Sequence, residues 1–138
     1  MNADIEKDGQ KTELKPLIEN EYIFIEIHES EIPWLKVFSK KPYKEFSQCS
    51  PEEKRAILEA LDVIEKAMLE YYRPEKINIA SFGNMLPRVH WHIMARFKED
   101  SYFPEPMWGK KQRETQLSLP LLDGFLELVE KRLKKPVG

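Results

Sequence analysis

The chain is short of several things that would narrow its role at once. Of its 138 residues only Cys49 is a cysteine, which excludes an internal disulfide and leaves no second thiol for a redox pair or a zinc knuckle. A reducing, cytoplasmic setting fits that usage. Nowhere do about 18 apolar residues run together, as a membrane-spanning helix requires, and the opening stretch MNADIEKDGQKTE lacks the apolar core of a secretory signal. The expectation is a protein neither secreted nor embedded in a membrane. An excess of one charge is missing too. Twenty-two basic residues against 24 acidic ones give a net charge of −2 and an isoelectric point near 6.0, and both signs are spread along the chain. No stripe of one sign advertises a nucleic-acid or membrane-surface partner. Function has to be sought in a local site.

The length fits one compact domain able to bury a real core. It is expected to run from about residue 14 to residue 138. Residues 1–13 mix charges with Gly9 and carry almost no apolar side chain, so a disordered tail is expected there. From Tyr22 the run YIFIEIH is rich in β-branched and aromatic residues, and after ESEIP a second run, WLKVFS, alternates apolar with polar. These read as two antiparallel strands. A helix follows, with Ser50 as N-cap, Pro51 at its first position and Glu53 completing a capping box. Ile57, Leu58, Leu61, Ile64, Met68 and Tyr71 recur at helical spacing and give a stripe that must face a sheet. KINIASFG reads as a third strand, and Gly83, Asn84 and Pro87 supply a turn into a fourth, paired with it. Pro104, Pro106 and Gly109 then break any regular element. A last helix is expected from about Ser118 to Lys134. The fold class is α+β: an antiparallel sheet of about five strands, one long helix packed on it and a carboxy-terminal helix.

The fourth strand, within LPRVHWHIMARF, carries the chemistry. Alternation puts Val89, Trp91, Ile93, Ala95 and Phe97 on a core face and Arg88, His90, His92, Met94 and Arg96 on the other. The second set holds two imidazoles about 7 Å apart at Cα, flanked by guanidinium groups, on a surface that a helix need not cover. Such a surface suits an anion. An imidazole with an ordinary pKa of about 6.5 can attack phosphorus or pass a proton at neutral pH, and arginine holds phosphate oxygens through paired N–H donors. Phosphate-ester chemistry is the functional reading. A single His-x-His pair also occurs by chance on solvent-facing strands, and by itself favours that plainer account. Alternate strand positions can supply two metal ligands as well, with His28 or Glu29 as a third. The flanking arginines disfavour a divalent cation, and no metal is expected.

In its context, the stretch KINIASFGNMLPRVHWHIMARFKEDSYFPEPMWG resembles the signature region of the histidine triad (HIT) superfamily of nucleotidyl hydrolases and transferases. The family motif is His-φ-His-φ-His-φ-φ with φ apolar, and Arg88, His90 and His92 stand at its three histidine positions, followed by Ile93 and Met94. The first histidine is replaced. A bacterial branch of the family with a glutamine at that position shares a preceding GN-x-x-P turn and a W-G after paired prolines. Gly83, Asn84, Pro87, Pro104, Pro106, Trp108 and Gly109 match that pattern. The resemblance extends more weakly over most of residues 20–110.

The resemblance implies that His90 is the nucleophile, forming a nucleotidyl-histidine intermediate at the α-phosphorus that water then resolves. It implies that His92 hydrogen-bonds the phosphate or leaving group, that Asn84 lies beside the phosphates, and that Trp108 lies near the site. Glu29 sits near where an acidic or amide residue would meet the ribose hydroxyls. Arg88 either adds electrostatic stabilisation or marks a changed substrate. Its backbone carbonyl remains available to orient His90. Trp34 stands where many members carry a histidine. Tyr22, Phe24 and Phe38 could wall a base pocket, although at strand spacing such residues are more often core.

A homodimer is implied, with a nucleotide or dinucleotide substrate, such as a dinucleoside polyphosphate or a phosphoramidate, and no cofactor. The leading expectation is a metal-independent hydrolase or nucleotidyl transferase. The alternatives are a nucleotide-binding module with little catalysis and a protein-interaction scaffold.

Overall fold

A computed structural model describes residues 18–134, so the expected tail over residues 1–13 lies outside the described residues. In chain order the elements are β1 (Ile18–Glu19), β2 (Ile23–Ile27), β3 (Trp34–Ser39), α1 (Pro51–Tyr72), β4 (Lys76–Ala80), β5 (His90–Arg96) and α2 (Leu122–Leu133), with one 3-10 turn at Phe46–Gln48. The strands form a single antiparallel sheet in the order β1-β2-β3-β5-β4. This is the α+β architecture expected. The long helix starts as its sequence dictates: Ser50 Oγ accepts from the Glu53 amide at 3.0 Å and Glu53 Oε1 accepts from the Ser50 amide at 2.6 Å. That reciprocal box satisfies two amides that the first turn cannot pair internally. Arg73 in the left-handed region ends the helix, and Pro74 follows.

Strand alternation sends Ile23, Ile25, Leu35, Val37, Ile93 and Ala95 into the main core, where they join Ile57, Ala60, Ile64 and Met68 of α1. Two expectations about α1 and α2 need correction. Leu58 is 58% exposed, and the small residues Ala60 and Ala67 are buried on the helix face instead, because side chains that short let the helix approach the sheet. The last helix begins at Leu122, not Ser118. Pro120 disfavours helical backbone at the preceding residue, so Leu117 and Leu119 reach the core as half-buried members of an extended segment. Once started, α2 packs Phe125 and Val129 onto α1. Tyr71 Oη donates to the Leu121 carbonyl at 2.7 Å.

The second face of the sheet is also covered, which the alternation reading did not anticipate. Met94 and Arg96 are almost wholly buried. After β5 the chain turns back over that face, held by a buried Arg96–Asp100 pair with Nε to Oδ2 at 3.0 Å and Nη2 to Oδ1 at 3.1 Å. Asp100 also accepts from the amides of Phe97, Tyr102 and Phe103. Glu31 accepts from the Ser101 amide, and Arg113 donates to the Asp100 and Phe103 carbonyls. A loop with so many fixed polar partners behaves as part of the scaffold. No helix among the described residues is long and apolar enough to cross a membrane.

Candidate active site

The register of β3 against β5 builds the site. Lys36 lies opposite His92 and Phe38 opposite His90, so side chains from the two central strands meet on the covered face. His28 extends that row at the end of β2. The connection from β4 to β5 supplies Phe82, Gly83, Asn84, Met85 and Leu86, and the returning loop supplies Trp108. Together with His28, Lys36, His90 and His92, these line a cavity of about 470 Å³.

His90 is buried and fixed from two sides. Its ring stacks on Phe38 with centroids 5.1 Å apart, and its Nδ1 lies 2.9 Å from the Arg88 carbonyl oxygen. A carbonyl can only accept, so Nδ1 carries the proton and Nε2 is left with the lone pair. Ser81 Oγ donates to the His90 carbonyl at 2.7 Å and holds the backbone. His92 has the opposite arrangement. The indole N–H of Trp34 donates to His92 Nδ1 at 3.0 Å between two buried side chains. Its neutral ring therefore carries the proton on Nε2. Burial, followed by the nearby His90, Lys36 and His28, pushes the His92 pKa down to about 4. Burial and then Lys36 lower His28 as well. The hydrogen bonds thus give the cavity a free ring nitrogen at His90 and an N–H donor at His92. Lys36 brings a positive charge, with Glu26 at 3.9 Å from its ammonium.

A HIT domain model matches residues 15–99. The chain belongs to the HIT domain family. No match was found among curated proteins. Among solved structures, a histidine triad protein from Bradyrhizobium japonicum matches at 20% identity and a TM-score of 0.70, over 86% of this chain and 90% of that one. One from Sinorhizobium meliloti 1021 gives 21% and 0.68, over 84% and 87%. A third, from Marinobacter aquaeolei VT8, gives 23% and 0.65, over 87% and 85%. At those identities the likeness speaks for the fold. Within this HIT protein, α2 lies beyond the matched residues.

Of the residues singled out in the sequence, His90, His92, Asn84 and Trp108 come together around the cavity. Trp108, half exposed, meets His92 edge-on at 5.0 Å, Trp34 at 5.2 Å and Phe82 at 4.8 Å. Glu29 is not among the lining residues. It borders a separate cavity of about 180 Å³ beside Tyr72, Leu119 and Pro120, because the loop after β2 turns toward the carboxy-terminal segment. The Arg88 side chain also leaves the histidines. Its Nη2 donates to the Ser39 carbonyl at 2.6 Å, and the guanidinium lies 5.3 Å from the Phe24 centroid and 5.4 Å from that of Phe38. Phe24 and Phe38 stack on each other at 4.7 Å, and neither lines the cavity. Among the described residues no three His, Cys, Asp or Glu side chains stand together as a metal site.

Lys36, Phe82, Met85 and Leu86 were not among the residues singled out in the sequence, and Trp34 has a part that its place in the motif did not suggest. Lys36 shares a face with Trp34 and Phe38 by simple alternation, and placing it needed only the knowledge that β3 neighbours β5. Trp34 supplies a hydrogen bond to His92. Phe82, Met85 and Leu86 form an apolar rim from a turn whose periodicity says nothing about orientation.

Proposed function

We propose that this HIT protein is a nucleotide hydrolase or nucleotidyl transferase that cleaves at the α-phosphate through a nucleotidyl-histidine intermediate on His90. The observation that carries this reading is the 2.9 Å contact of His90 Nδ1 with the Arg88 carbonyl, since it leaves Nε2 as the nucleophilic nitrogen of a ring on the cavity wall. In the first step Nε2 bonds to the α-phosphorus and the bond to the leaving group breaks. In the second, water or another acceptor attacks the phosphorus and returns the electron pair to Nε2. His92 offers its Nε2–H to a phosphoryl oxygen as charge builds there, and Lys36 and Asn84 line the same space. Arg88 holds the first triad position through its backbone. Family likeness also favours a homodimer, so light scattering at micromolar concentration should give twice the 16.4 kDa chain mass. A monomer would count against the dimer alone.

The test of the activity is turnover of nucleotidyl anhydrides and phosphoramidates by the wild type and by His90→Ala. The variant should lose at least about 10³-fold in kcat, in line with removal of a covalent nucleophile, while still binding nucleotide. Equal turnover by both proteins would overturn the assignment. A second reading, a nucleotide-binding module with little catalysis, is favoured by the guanidinium of Arg88 being engaged with the Ser39 carbonyl instead of the cavity. Tight AMP binding without turnover across the substrate panel would decide for it.

A further inference from the structure

We infer that the site selects nucleotides whose leaving group departs as a stable anion, a phosphoanhydride or a mixed acyl-phosphate anhydride, because Trp34 fixes His92 as a hydrogen-bond donor that has no proton to give away. The inference rests on the reading of His90 as nucleophile and narrows the substrate class for it.

One atom of Trp34 can play only one part. An indole N–H donates and never accepts, so the 3.0 Å contact from Trp34 makes His92 Nδ1 an acceptor. To serve as a general acid toward a leaving group on its Nε2 side, His92 would have to start as imidazolium, with a second proton on Nδ1. That proton would face the Trp34 N–H, two donors opposed in a buried contact, and one would lose its partner. The neighbours act in the same direction. His28, His90 and Lys36 line the cavity, and no carboxylate does among the described residues. With burial, these groups hold the His92 pKa at about 4, so the imidazolium is scarce at neutral pH.

Leaving groups differ in what they need. When the bond from the α-phosphorus to an anhydride oxygen breaks, the electron pair leaves on a phosphate or carboxylate that is stable unprotonated near neutral pH. Lys36, opposite His92 across the two strands, presents positive charge to it. His90 keeps its Nδ1 proton on the Arg88 carbonyl throughout, so the nucleotidylated ring is cationic. Attack by water then releases one proton to solvent and restores neutral His90. Breaking a bond from phosphorus to an amine nitrogen would instead expel an amide anion unless the nitrogen is protonated, and neutral His92 has no proton to supply for that. Trp34 is a positioning residue in this scheme, acting through His92.

The experiment compares kcat/KM for diadenosine triphosphate and adenosine 5′-phosphoramidate in the wild type and in Trp34→Phe, which removes the N–H and keeps an aromatic ring. The wild type should favour the anhydride by ~10²-fold or more, the usual worth of a missing general acid. Trp34→Phe should narrow that ratio and add an acidic limb to the pH profile of phosphoramidate cleavage. Nitrogen-15 NMR of the free wild-type protein supplies a readout independent of activity: His92 should hold its proton on Nε2 from pH 5 to 8. Equal cleavage of the two substrates by the wild type overturns the inference and leaves the nucleophile standing, as does a His92 that titrates near pH 6.5. Cleavage of neither substrate overturns both.

Discussion

At Arg88 the backbone and the side chain serve different ends. The carbonyl fixes the tautomer of His90, while the guanidinium braces β3 by bonding the Ser39 carbonyl and covering Phe24 and Phe38. Arg88→Gln should therefore keep kcat close to that of the wild type and cost about 1–2 kcal/mol of stability through the lost cation–π and charge-assisted contacts. Urea denaturation beside a turnover assay checks both halves, and a loss of activity as deep as that of His90→Ala would contradict the division of labour. His92 gives a pH signature. Its folded pKa is depressed to about 4, so between that value and the unfolded value of about 6.5 the unfolded chain binds the extra proton. Stability from this group is present above about 6.5 and declines as pH falls toward 4. The decline should be shallower in His92→Gln, measured by the denaturation midpoint across that window.

Among the elements, the loop after β5 matters most to the site because it carries Trp108. Its anchor is Asp100, which is fully buried. Burial alone would raise the carboxyl's pKa, but Arg96 and the amides of Phe97, Tyr102 and Phe103 outweigh it and hold the carboxyl below its ordinary value. The stability it adds is present above a pH of about 4 and is lost as pH falls through the depressed folded value. Asp100→Ala leaves Arg96 charged and buried, and should cost about 3–5 kcal/mol with a red shift of tryptophan fluorescence as Trp108 loses its packing. Unchanged stability would mean that the loop is held elsewhere. At the other end of the chain, Phe125→Ala should cost about 3–5 kcal/mol by opening a cavity between α2 and α1, read as a lowered thermal midpoint.

Over the whole molecule, legibility followed sequence distance. The capping box, the helical stripe and the alternating runs are local patterns, and α1 and β2–β5 lie where those patterns put them. β1 is two residues long and carries no pattern of its own. The two faces of β5 could be separated by alternation, but its covered second face depends on the loop from Phe97 to Arg113, whose polar anchors have no periodicity. The same limit applies to the site. His90 and His92 sit on one strand and were visible together. Trp34 contacts His92 across 58 residues of chain, and Lys36 reaches it only through strand pairing. Glu29 was adjacent by motif analogy and separate in space.

The central claim is that His90 Nε2 takes the nucleotidyl group, and rapid-quench mass spectrometry on the wild type with a nucleotidyl anhydride tests it most directly. A transient adduct of one nucleoside monophosphate, mapped to His90, should form and decay at rates compatible with kcat. Turnover with no such adduct, or with the adduct on another residue, would contradict it.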